Sequence, residues 1–251
     1  MKKRMFLLGG HDLEMQETRR LLVMHGECFA DANLSWSNAR LSAYMSAIAE
    51  DPNSEYYGIE LQEDMLLPKY YHRIDHHNDY NQRPAAILQV AEILGIKPDR
   101  YLQLVAANDA GYIPAMEALG ATKTEITTIR KQDRAAQGVT EEDEHLAELS
   151  ISGHLERYEG LFIVHAQTSK FSPICDRLFP YQRLLIYTDD EWTYYGEDKS
   201  DLIVMLTDDI NNNKVYHGGG DNGYIGAARG SFTPQQILDF VTLIKQRYER
   251  N

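Results

Sequence analysis

The sequence predicts an α/β protein: an N-terminal domain built on a mostly parallel sheet flanked by helices, and a smaller C-terminal α/β domain. Three observations predict it. Short apolar runs alternate with segments of helical period, the pattern of units that feed a parallel sheet. A strongly charged stretch, 123–149, interrupts the alternation, and a second set of apolar runs begins at Leu161. The length, 251 residues, suits one large or two modest domains. The expected division is 1–125, a helical connector 126–155, and 156–251.

The elements follow in chain order. The apolar run 5–8 reads as a buried strand that Gly9 and Gly10 break. Residues 14–25 carry Met15, Leu21, Leu22 and Met24 at helical spacing. A second strand is expected at 27–30, and a short helix at 41–49 ended by Asp51, Pro52 and Asn53. Residues 56–61 alternate as a third strand, and 71–74 form a fourth that ends at Asp75. The spacing predicts a helix over 84–94. Pro84 suits its first turn, Ile87, Val90, Ala91 and Leu94 share a face, and Gly95 stops it. Residues 101–107 are a further helix or buried segment running into a turn at Asn108 and Asp109. The stretch 123–149 has few large apolar residues and reads as an exposed helical connector, with Thr140 starting its second half. Residues 160–164, 184–187 and 201–206 read as strands, and 232–248 as a closing amphipathic helix.

Bulk composition narrows the function classes. Hydrophobic residues make up 43% and charged residues 25%, enough for a sizeable core. No apolar stretch approaches the roughly 20 residues of a membrane helix, so no membrane partner is expected, and the apolar run 5–8 is too short for a signal peptide. Two cysteines, Cys28 and Cys175, lie far apart, which fits a reducing cytoplasmic setting and excludes a cysteine-rich zinc site. The net charge of −13 disfavours long duplex nucleic acid. It leaves room for a short nucleotide or pyrophosphate at a local cationic or metal site.

Residues able to carry chemistry gather where apolar segments end. Asp75-His76-His77 follows the fourth strand, and a carboxylate beside imidazoles is a ready set of metal ligands; the plainer reading is a polar loop. Gly9-Gly10-His11-Asp12-Leu13-Glu14 follows the first strand. Asp12 could simply cap the next helix, which leaves His11 and Glu14 unexplained. Glu60 ends the third strand, or is an edge glutamate. Asp109 lies in a turn after an apolar segment. Converging, these groups suit two divalent ions about 4 Å apart, which can hold a shared nucleophile and clamp a phosphoryl oxygen. In the C-terminal half, His217 and Gly218-Gly219-Gly220-Asp221 precede Gly226 to Arg229. Successive glycines expose N–H groups that can cradle an anion; alone, they are more simply a turn.

In order and spacing, Ile74-Asp75-His76-His77, Gly9-Gly10-His11-Asp12-Leu13-Glu14, Asn108-Asp109 and the distal Gly218-Gly219-Gly220 with Gly226-Ala227-Ala228 resemble the DHH/DHHA1 phosphoesterase superfamily across nearly the whole chain. The resemblance implies a metal-carrying N-terminal domain, manganese first and magnesium second, and a C-terminal domain whose glycines hold substrate. Asp75 and His76 resemble the ligands of the DHH motif, with His77 facing the scissile phosphate as a catalytic group. Asp12 and Glu14 resemble the paired acids of the first motif, and Asp109 the last acidic ligand. His217, Gly218, Gly219, Gly220 and Arg229 would bind substrate. The chain departs from the pattern at Leu8, where a histidine is usual, with His11 as its substitute. It departs again at Glu14 and Glu60, where aspartates are usual, and at Asp221, where a histidine is usual.

The resemblance implies a metal-dependent phosphoesterase acting on a nucleotide, short oligonucleotide or cyclic dinucleotide. The departures keep a second reading beside it: a protein of the same fold that binds nucleotide or metal without hydrolysis. A third is that the histidines are structural only. Oligomeric state is not legible in the sequence.

Overall fold

The computed structural model describes residues 2–196, 198–218 and 223–249. The chain divides into two compact units, Met1–Gly138 and Val139–Asn251. Each is an α/β layer structure.

The first unit contains β1 (Arg4–Leu7), α1 (Leu13–Met24), β2 (Cys28–Ala30), α2 (Met45–Glu50), β3 (Glu55–Ile59), β4 (Tyr71–Ile74), α3 (Ala86–Leu94), α4 (Arg100–Ala118) and α5 (Lys123–Ala136). Single 3-10 turns at Trp36–Asn38, Leu41–Tyr44 and Asn78–Tyr80 fill the connections. The four strands form one parallel sheet in the order β2-β1-β3-β4. Phe6 and Leu8 pack on one face with Met15 and Leu22 of α1 and Val90 of α3, while Leu7 packs on the other with Leu41, Tyr44 and Ile48. Burial on both faces is why the first run is continuously apolar rather than alternating. The segments after β1, β3 and β4 all leave the sheet at its carboxyl edge, where open α/β sheets place their ligands.

Two expectations change here. Residues 108–111 are not a turn. They lie inside α4, whose start Asp99 caps by accepting from the Leu102 N–H at 2.8 Å. The local turn signal appears instead as a kink: Gly111 and Tyr112 leave helical geometry, Tyr112 at φ 59° and ψ −148°. Pro114 supplies the cause, since it has no N–H to donate and its ring clashes with the carbonyl four residues back. Likewise, the charged stretch is two helices rather than one exposed connector. Its first half, α5, opens with a capping box between Thr122 and Glu125 and buries Ile129, Arg130, Asp133 and Arg134 within the first unit.

The second unit contains α6 (Glu141–His154), β5 (Leu155–Tyr158), β6 (Leu161–His165), α7 (Ser172–Leu178), β7 (Arg183–Tyr187), β8 (Trp192–Gly196), α8 (Lys199–Met205), α9 (Thr207–Asn211), β9 (Val215–Gly218), β10 (Tyr224–Ala227) and α10 (Pro234–Glu249). Thr140 caps α6 as expected. The sheet runs β5-β6-β7-β8-β10-β9, with only β6 and β7 parallel. The expected strand at 201–206 falls in helix α8. Leu202 is 1% exposed and Val204 77%; residues two apart share a face in a strand but lie on opposite sides of a helix, and a short apolar run does not reveal which applies. Its place in the sheet is taken by β8, β9 and β10, which the sequence reading passed over. Among the described residues, no helix is long and apolar enough to cross a membrane.

Candidate metal centre

The carboxyl edge of the first sheet gathers its polar residues through close main-chain contacts. A Cβ on Gly9 would stand 2.6 Å from the Ile59 carbonyl oxygen and 3.0 Å from that of Glu60, so only glycine lets β1 end this near β3. Glu60 itself adopts φ +52°, a left-handed geometry that costs a non-glycine residue of order 1 kcal/mol or more and is found where function over-determines the backbone. Its N–H donates to the Ile74 carbonyl at 2.8 Å, which ties Glu60 to the strand that leads into Asp75-His76-His77. Gln89 of α3 donates to the Asp75 carbonyl at 3.1 Å. Asp109 arrives from α4, two residues before the kink.

Four side chains, Glu60, His76, His77 and Asp109, each offer a ligand atom, and those atoms lie within 4.8 Å of one another. His76 Nε2 is the hub. It stands 2.5 Å from Asp109 Oδ2, 3.1 Å from Glu60 Oε1 and 3.9 Å from Glu14 Oε2. Glu14 is fixed by its other oxygen, which accepts from the Ile87 N–H at 3.0 Å near the N-terminus of α3, where negative charge is favoured. No hydrogen bond of good geometry closes inside the cluster. His76 Nε2, Asp109 Oδ2, Glu14 Oε2 and both oxygens of Glu60 are buried without a hydrogen-bond partner. Buried carboxylate oxygens left this way cost several kcal/mol each. A shared cation resolves all of them together, and a set of three carboxylates and an imidazole suits a hard to borderline divalent ion. The residues present therefore fit a divalent metal.

The electrostatics agree. Burial, reinforced by the charges of Asp109 and Glu60, pushes the Asp12 carboxyl up to about 8. The same three causes hold Glu14 well above the usual carboxylate range. Burial works against the charged form of His76, but the Asp109 and Glu60 carboxylates beside it outweigh that and lift it to about 10. His77 is raised as well, first through its contact with Asp75. Without a cation, then, the pocket holds extra protons in place of the charge it lacks.

No protein-family model matches the chain, and no curated protein matches it in sequence. Solved structures do. The DHH domain of a member of the s1p family of ribosomal proteins aligns over 98% of this chain and 86% of its own, with a TM-score of 0.60 and 10% identity. The chain shares the fold of that DHH domain. A second match, over 99% of both chains at TM-score 0.53 and 10% identity, is the pGpG-specific phosphodiesterase PggH from Vibrio cholerae.

Within this DHH-type fold the expected site residues separate into groups. Glu60, His76, His77 and Asp109 meet directly, and Glu14 reaches His76 from one side. Asp12 lies near enough for Glu60 and Asp109 to raise its pKa, yet its Oδ1 accepts from the Met15 N–H at 2.8 Å as the cap of α1. The cap reading thus holds for Asp12, which stands outside the four-residue cluster. Asp75 stands outside the four-residue cluster. It accepts from the His77 N–H at 2.9 Å and faces His77 Nδ1 at 3.4 Å, so it orients that imidazole. Among the described residues, no hydrogen bond or ion pair joins His11 to the cluster. In the second unit His217 is exposed on β9, the Gly218 carbonyl accepts from Lys199 Nζ at 2.6 Å, and Arg229 pairs with Asp190 at 2.8 Å. Gly219, Gly220 and Asp221 lie outside the described residues.

One group escaped the sequence reading. Asp133 of α5 accepts from the Leu13 N–H at 3.3 Å and from Arg130 at 2.7 Å, while Arg130 also donates to Asn108 at 2.9 Å. This buried chain links α5 to the residues adjoining Asp12 and Asp109. The available signal was the i, i+3 pairing of Arg130 with Asp133 on α5, which marks a packed polar face as readily as a solvated one.

Proposed function

We propose that the first unit is a divalent-metal phosphohydrolase centre acting on a small phosphodiester or phosphoanhydride: a nucleotide, a short oligonucleotide or a cyclic dinucleotide. The observation that carries this reading is the convergence of buried, unpartnered oxygens of Glu14, Glu60 and Asp109 on His76 Nε2. The fold shared with a pGpG-specific phosphodiesterase supports the substrate class.

Glu60, His76 and Asp109 would hold the ion, with Glu14 as a fourth ligand or its immediate support. Manganese is the first candidate and magnesium the second. A bound cation supplies Lewis-acid neutralisation of phosphoryl charge and eases ionisation of the attacking water. The chain's own residues do the rest. His77 is half exposed, its side chain 49% accessible, and Asp75 orients it and raises its pKa. It can bind a phosphoryl oxygen or pass its proton to the leaving oxygen. Burial of Glu60 and His76 strengthens every charge interaction in the pocket by excluding water.

A second reading, binding without turnover, is favoured by Asp12, whose carboxylate serves as a helix cap and carries a raised pKa. Manganese titration separates the two readings. Turnover of a 5′-phosphorylated dinucleotide that requires the ion and disappears in an Asp75→Ala, His76→Ala double variant supports hydrolysis. Ion binding without turnover above that variant supports the second reading.

A further inference from the structure

The two glycines that follow β1 and Leu8 are packed by different neighbours. Gly9 lies against the Glu60 main chain, and Gly10 lies against Trp36. A Cβ on Gly10 would stand 2.3 to 2.6 Å from Cδ2, Cε2 and Cε3 of the indole. The ring is therefore pressed onto bare main chain, in a gap that any side chain at position 10 would fill. Trp36 belongs to neither hydrophobic cluster flanking the sheet, and it remains 44% exposed. It is carried on the 3-10 turn Trp36–Asn38, whose short polar side chains satisfy one another: Ser35 and Ser37 hydroxyls at 2.9 Å, and Asn38 donating to Ser35 at 3.4 Å. A solitary exposed tryptophan needs no explanation by itself. One seated on the glycine that immediately precedes His11 and Asp12 does.

We propose that Trp36 is a stacking platform for a nucleobase at the rim of the metal centre. The inference rests on the phosphohydrolase reading and narrows its substrate to molecules that carry a nucleobase next to the reacting phosphate. The Glu60 main chain and the indole each pack on one of two adjacent glycines, so they lie within about 10 Å of each other, one Cα step of about 3.8 Å plus two packing contacts. That matches the reach from phosphate to base within one nucleotide. Stacking tolerates every base because each presents a π-face, so Trp36 would select nucleotides over other phosphate esters without choosing among bases. The indole needs no strongly basic groove around it, consistent with a chain of net charge −13.

The test uses the intrinsic fluorescence of the full chain. It has two tryptophans, and the other, Trp192, is 2% exposed. With magnesium present, adenosine monophosphate should quench wild-type emission and ribose 5-phosphate should not, and the quench should vanish in Trp36→Phe. Trp36→Ala should raise KM for a 5′-phosphorylated dinucleotide about 10-fold, the scale of one lost base stack, with Trp36→Phe recovering most of the loss. Manganese affinity, measured by calorimetry, should stay unchanged in both variants. Equal quenching by ribose 5-phosphate, no quenching by the nucleotide, or an unchanged KM in Trp36→Ala overturns the proposal. Failure of the wild type to bind a divalent ion instead overturns the metal reading beneath it, and the nucleotide quench decides the stacking role independently.

Discussion

Two demands meet in the Asp12 carboxylate: capping α1 and facing the acids of the metal centre. Asparagine caps a helix about as well as aspartate, so Asp12→Asn isolates the second demand. It should leave metal-free stability unchanged or raised, while manganese affinity falls. An equal loss of both would return Asp12 to a purely structural role. Glu14→Gln keeps an oxygen for the Ile87 N–H and removes charge from the pocket. Its manganese affinity should drop at least about 10-fold, the scale seen even for partners one step removed from a metal, with calorimetry as the readout. The pH dependence has a definite sign. Asp12 and Glu14 have folded pKa values above their unfolded ones, so the stability they give is present below about pH 4 and lost as pH rises, for Asp12 through about 8. His76, lifted to about 10, contributes stability present below 6.5 and lost as pH rises through 10. Both trends weaken the metal-free protein on the alkaline side, where a cation faces less competition from protons. The Tm gap between manganese-loaded and chelator-treated protein should therefore widen from pH 6 to pH 8. A gap independent of pH would contradict this account of the pocket.

At the scale of elements, α5 buttresses the site. Arg130 and Asp133 are buried together, and removing one partner of a buried ion pair typically costs about 3–5 kcal/mol because the other charge is left uncompensated. Asp133→Ala should lose about 3 kcal/mol in urea denaturation, while Asp133→Asn, which can still accept from the Leu13 N–H, should lose less. Equal, small effects would show that α5 is only loosely attached. This helix also marks the limit of what the sequence made legible. β1 was readable because a doubly covered strand shows as a solid apolar run and β3 because it alternates, and the site was readable because its acids and imidazoles follow the ends of such segments. Asp109 was found for its residue type but given the wrong setting, since a Gly-Pro kink inside a helix and a turn share the same local signal. α5 was not readable as packed structure, because its buried face is made of paired charges rather than apolar side chains. Trp36 was missed for a related reason. Its meaning comes from a contact with Gly10 across 26 positions, which no local period encodes. In the second unit, β8, β9 and β10 are short and pair mostly antiparallel, and their tyrosines and glycines lack the apolar density by which strands elsewhere were recognised.

At the scale of the whole molecule, charge weighs against a long polyanionic ligand. A chain of net charge −13 gains little from counterion release along a polyanion. Its affinity for single-stranded oligonucleotides should stop growing beyond a few nucleotides and should show a shallow salt dependence. A steep salt slope that increases with length would contradict that. The central claim is that Glu14, Glu60, His76 and Asp109 form a metal centre that hydrolyses phosphate esters. Its most direct measurement is the cleavage rate of a 5′-phosphorylated dinucleotide by metal-stripped protein, titrated with manganese, for the wild type and for His76→Ala. The account predicts cleavage that appears with manganese, is abolished by chelator and falls at least about 100-fold in His76→Ala, the order of loss when one stabilising group at a reacting centre is removed. Cleavage that is equal in the two proteins, or absent from both at saturating manganese, would contradict it.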